Sequence, residues 1–142
     1  MPRWATWLPL ALGVAAVVAG CGTSGGTIDT TDLTKVELSS YQSLPPPFGS
    51  AQAVLTSPAS LASFSGSLVS HHIGVTGGAT ANAGCSGGIQ YTIVMEWSGG
   101  RPVMTLSAYD CGGQVTSNMS GDVSGFLAYV SSLLVATPSG QG

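Results

Sequence analysis

The chain has 142 residues, of which only nine are charged: three Lys or Arg against six Asp or Glu, for a formal charge of −3. With 44% apolar residues it has enough material for one domain with its own core. So few cations leave no basic patch for phosphate, which argues against nucleic acid as a partner.

Met1-Pro2-Arg3 supplies one positive charge, and no further charge occurs from Trp4 to Val18. This is the n-region and h-region pattern of a secretory signal. The apolar run stops short of the roughly 20 residues that a membrane span needs. It ends in Val18-Ala19-Gly20-Cys21, which resembles the lipobox of bacterial lipoproteins, including those of high-GC actinobacteria. The resemblance implies a signal peptide over residues 1–20, lipidation of Cys21 by a diacylglyceryl group with palmitate-like chains, and a protein held by membrane lipid at the extracytoplasmic face of the cell membrane.

With Cys21 lipidated, Cys85 and Cys111 remain, an even number suited to one disulfide in an oxidising compartment. Loss of Arg3 with the signal leaves Lys35 and Arg101 against the six acids. The surface then attracts anionic lipid weakly, and anchoring rests on the lipid itself.

Gly22 to Thr34 is small, polar and without period, so residues 21–34 read as a flexible tether holding the domain about 20 Å from the membrane. A single domain is expected over residues 35–136. Val36-Glu37-Leu38 opens a strand. Ser43 to Gly49 contains Pro45, Pro46 and Pro47, which remove backbone donors and form a stiff surface loop. Ala51 to Thr56 is a second short strand.

A helix is expected from Ser57-Pro58, the serine as N-cap and the proline at the first helical position. Leu61, Phe64, Leu68 and Val69 form its apolar stripe, and His71-His72 close it. Adjacent histidines point apart, which disfavours shared metal ligation. Gly74 to Gly88 is a flexible connection.

Ile89 to Trp97 alternates apolar and polar residues, and Arg101 to Asp110 returns with Met104, Leu106 and Ala108 on one face. Gly99-Gly100 between them fits a type I′ or II′ turn. The register that matches the apolar faces pairs Met95 with Met104, Ile93 with Leu106 and Tyr91 with Ala108. Extended further, it sets Cys85 opposite Gln114, so a Cys85–Cys111 bridge requires a bulge at Gly87-Gly88 or Gly112-Gly113.

A second helix follows, with Ser120 as cap, Asp122 in the first turn, and an apolar stripe of Val123, Phe126, Leu127, Val130, Leu133 and Leu134. Asn118-Met119-Ser120 matches a glycosylation sequon, for which a bacterial lipoprotein normally lacks the machinery. Residues 137–142 read as a disordered tail. The expected fold is α+β: a small antiparallel sheet with two helices packed on one face and one intra-domain disulfide.

No GxSxG, HExxH or phosphate loop is present, and no constellation marks an active site, cofactor or metal. The expectation is a non-catalytic binding or accessory module of the cell envelope, with an envelope protein as partner and Pro45, Pro46, Pro47, the Gly74 to Gly88 loop and Trp97 as contact surface. The alternative rests on the hairpin Tyr91 to Asp110, which is similar to that of emfourin-type inhibitors of thermolysin-like proteases. That similarity implies inhibition of a secreted protease.

Overall fold

The computed structural model describes residues 26–42, 49–77 and 87–134. Its elements are β1 (Gly26–Thr27), β2 (Leu33–Gln42), β3 (Gly49–Leu55), α1 (Pro58–Ser70), β4 (Gly74–Val75), β5 (Ile89–Trp97), β6 (Met104–Cys111), β7 (Gln114–Ser117), β8 (Met119–Ser120) and α2 (Val123–Leu133). The fold is α+β, with two antiparallel sheets where one was expected: a five-stranded sheet ordered β3-β2-β5-β6-β7, and a small sheet ordered β1-β4-β8.

Alternation along the central strands builds the core. Val36 and Leu38 of β2, Tyr91, Ile93 and Met95 of β5, and Leu106 and Ala108 of β6 are buried on one face. They share a single cluster with Phe64 and Leu68 of α1 and Phe126, Leu127 and Val130 of α2. Fully burying a side chain of this size stabilises by roughly 1.5–3 kcal/mol. The helices meet through Phe64 and Phe126, edge to face with centroids 5.8 Å apart, a favoured aromatic geometry.

The β5–β6 register agrees with expectation: Met95 pairs with Met104, Ile93 with Leu106 and Tyr91 with Ala108. Gly99 and Gly100 both have positive φ, 80° and 75°, as a type I′ turn requires. The ladder nevertheless stops at Met95–Met104, because Pro102 has no N–H to continue it. The free end of β5 turns to β2 instead, where Leu33 pairs with Trp97 and Lys35 with Glu96. Thr34 is left over as a bulge, and its Oγ1 donates to the Glu96 carbonyl at 3.0 Å.

Four expectations need correction. The register does not extend to Gln114, because Gly112 and Gly113 (φ 61° and 97°) form a second turn, and β7 folds back to pair Gln114 with Cys111. Residues 26–34, expected within the tether, belong to the fold: Gly26 and Thr27 pair with Val75 and Gly74, and Ile28 is buried in the core. Ser120 is not the cap of α2, since it lies in β8; Asp122 is the cap, its Oδ1 accepting from the Gly125 N–H at 3.1 Å. Val69 leaves the apolar stripe of α1 and is 67% exposed.

The start of α1 is as expected, with Pro58 at the first position and Ser57 Oγ accepting from the Ser60 N–H at 3.2 Å. No helix among the described residues is long and apolar enough to cross a membrane.

Candidate functional site

Of the residues singled out in the sequence, Cys21, Cys85, Pro45, Pro46 and Pro47 lie outside the described residues, as does the tail 137–142. Trp97 does not present a contact surface. It is 7% exposed, its Nε1 donates to the Asp29 carbonyl at 3.1 Å, and the Arg101 guanidinium lies 4.2 Å above its ring. The alternation that buries Ile93 and Met95 carries Trp97 inward as well, and the segment before β2 closes over it. Arg101 also faces the Asp29 carboxylate at 3.7 Å.

Lys35 is paired too, 2.8 Å from Glu37 and 3.4 Å from Glu96. These hydrogen bonds, led by that to Glu37, raise its pKa. Lys35 and Arg101, the two described Lys or Arg residues, therefore both face carboxylates.

The two histidines are separated in role. His71 ends α1 and His72 turns the chain with a φ of 53°. The Asp122 N–H donates to the His71 carbonyl at 2.8 Å, and His71 Nδ1 stands 2.8 Å from Asp122 Oδ2. An ionised carboxylate only accepts, so Nδ1 carries the proton of that bond. The bond to His71, followed by that from the Gly125 N–H, lowers the Asp122 pKa.

Two glycines make this junction possible. A Cβ at Gly121 would collide with the His72 carbonyl, and one at Gly125 with the Asp122 carboxylate and the His71 ring. A histidine oriented by a carboxylate supplies two of the three members of a catalytic triad. Among the described residues, however, no serine or cysteine hydrogen-bonds to that ring, and no group of three or more His, Cys, Asp or Glu could hold a metal.

Two concavities stand out. A cleft of about 360 Å³ lies between α2 and the β6–β7 hairpin, within the size range of small-molecule sites. Leu127, Ala128 and Val115 give it an apolar wall; Tyr91, Asp110, Ser124 and Ser131 bring polar groups. Tyr91 is 6% exposed, and among the described residues no hydrogen bond to its hydroxyl is made. Asp110 Oδ1 accepts from the Gly113 N–H at 2.9 Å, which fixes the carboxylate at the rim.

A second recess, about 190 Å³, lies between the end of α1 and the strands β1 and β4, lined by Ile28, Leu68, Val69, His72 and Ile73 together with Thr27 and Gly74.

Sequence reasoning missed the cleft because it depends on β7, and missed the role of Asn118. Its Oδ1 accepts from the Ser107 N–H at 2.9 Å and its Nδ2 donates to the Thr105 carbonyl at 3.1 Å. Asn118 thus continues the β6 ladder beyond the end of β7, which gives the residue a structural reason independent of glycosylation. Compared with protein-family models, curated proteins and solved structures, the chain matches none of them.

Proposed function

We propose that the protein is a lipid-anchored, non-catalytic binding module of the cell envelope, attached through Cys21 at the extracytoplasmic face and receiving its ligand in the cleft beside α2. The observation that carries the binding reading is the cleft itself, where the buried Tyr91 adjoins Asp110, Ser124 and Ser131 next to an apolar wall. Such a lining suits a ligand with an apolar edge and several hydrogen-bond donors: the carboxylate accepts, the hydroxyls do either, and Leu127 and Val115 cover the edge. The lipobox-like Val18 to Cys21 supports the anchor.

The reading includes a Cys85–Cys111 bridge. Cys111 is the last residue of β6, and the two cysteines left after lipidation of Cys21 are what support the pairing. A bridge over this 26-residue separation would stabilise by about 3.5 kcal/mol in the chain-entropy model.

The test is an NMR titration of the mature chain with amines, saccharides and short peptides in turn. Shift changes confined to Tyr91, Asp110, Gly113, Ser124 and Ala128, and abolished by Ala128→Trp at the exposed cleft wall, are expected. Absence of shifts with every class, or shifts centred elsewhere, overturns the cleft as the site. Intact mass before and after reduction reads the lipid and the bridge separately.

A further inference from the structure

Cys21 is separated from β1 by only four residues, Gly22 to Gly25. Five Cα steps reach at most about 17 Å. A domain of roughly this size has a radius of gyration of about 13 Å, so its far side lies beyond that reach. An anchor at residue 21 therefore selects which face meets the bilayer.

The recess beside the anchored end has an apolar floor, and no carboxylate is among its lining residues. Ile28, Leu68 and Ile73 are buried in the floor of the recess, whose other lining residues include Thr27, Val69, His72 and Gly74. Val69 is two-thirds exposed and has no place in the core. An exposed valine costs little by itself, but here it borders an apolar recess immediately beside the strand to which the lipid-bearing segment leads. The described carboxylates lie outside this lining: Glu37 and Glu96 on the outward face of the sheet, Asp29 and Asp32 beyond β1, Asp110 at the cleft and Asp122 at the helix junction.

From this placement we propose that the face formed by β1, β4 and the last turn of α1 lies against the membrane, with Val69 and His72 at the headgroups, and that the outward face of the sheet points away from the bilayer. The proposal rests on the lipid-anchor reading and gives that anchor a direction. The short connection supplies the effective concentration; the apolar rim selects the orientation.

The experiment attaches the anchor chemically, so that it is independent of what the cell does. A chain beginning at Cys21 is coupled through its N-terminal aminothiol to a thioester lipid, a reaction that internal cysteines do not undergo, and is placed one copy per nanodisc of phosphatidylcholine and phosphatidylglycerol. Nitroxide headgroups then broaden nearby amides. Several-fold greater broadening at Thr27, Val69, His72 and Gly74 than at Val54 and Thr105 on the outward face is expected, with the contrast reduced by Val69→Asp.

Uniform broadening, a maximum at Val54 and Thr105, or indifference to Val69→Asp overturns the proposal. So does cross-linking of two copies through the recess when two are loaded per disc. The anchoring reading fails separately, if the protein from its own membrane carries no lipid at Cys21 by intact mass.

Discussion

His71 Nδ1 and Asp122 Oδ2 stand 2.8 Å apart and tie the last turn of α1 to the first turn of α2, the same carboxylate capping the second helix through Gly125. Because the folded state lowers the Asp122 pKa, it holds that proton less tightly than the unfolded chain does. The resulting stabilisation is present above the ordinary carboxylate value of 3.8 and is lost as pH falls through the lower folded value.

Asp122→Asn keeps a good cap but removes the charge, whereas Asp122→Ala removes both. Urea denaturation at neutral pH is expected to rank wild type above the Asn variant and the Asn variant above Ala. The gap between wild type and Asn closes in strong acid. Equal midpoints for all three at neutral pH contradict the assigned role.

Gly121 and Gly112 have similar backbones but different surroundings. Both have positive φ, 94° and 61°, yet a Cβ at Gly112 meets open space while one at Gly121 meets the His72 carbonyl. Gly112→Ala should cost about 1 kcal/mol through the left-handed backbone alone. Gly121→Ala adds a collision between two backbone segments that hold β4 to α2, and about 3 kcal/mol or more is expected once that strain is included. Denaturant midpoints of the two variants read the comparison directly; similar losses would mean that the Gly121 turn shifts freely.

The contrast shows what was legible in the sequence. Gly99-Gly100 and Gly112-Gly113 are the same signal, but the first stands between two clearly alternating runs and the second precedes only Gln114-Val115-Thr116-Ser117, too polar to show a buried face. In the sequence the second pair is therefore only one of two places for a bulge, and the short strand after it carries no signal of its own. The strands β1, β4 and β8 span two residues each, below the length at which any period exists. The central hairpin, both helices and the Ser57 cap depend on local pattern and were readable. The cleft, the His71–Asp122 bond and the Asn118 bridge join residues 10 or more positions apart, through neighbours that the periodicity does not specify.

Trp97 of β5 binds two other parts of the chain at one point, stacking under Arg101 and donating to the Asp29 carbonyl just after β1. Trp97→Phe keeps an apolar ring but loses the donor and weakens the cation–π contact, a combined cost of about 2 kcal/mol. Arg101→Ala removes only the contact and the long pair to Asp29, and about 0.5–1 kcal/mol is expected for a site this exposed. Thermal unfolding followed by circular dichroism measures both without depending on tryptophan emission. If Arg101→Ala proves the more damaging, the guanidinium rather than the indole N–H organises this corner.

Ser67 faces the core from α1 beside Leu68, and its Oγ is buried with no hydrogen-bond partner among the described residues. An unsatisfied buried hydroxyl carries a desolvation penalty, and serine is also a poorer helix former than alanine. Ser67→Ala removes both defects and little volume, so the variant is expected to be more stable than wild type by about 1 kcal/mol. At this chain length such a gain corresponds to a rise in melting temperature of roughly 4 °C. The helix cap at Ser57 supplies the opposite control within the same element: its Oγ accepts a backbone N–H, and Ser57→Ala should cost about 1 kcal/mol. Stabilisation by the first change and destabilisation by the second, in matched calorimetric scans, separates a hydroxyl that is used from one that is not. A loss of stability in Ser67→Ala would show that the buried hydroxyl has a partner in solution.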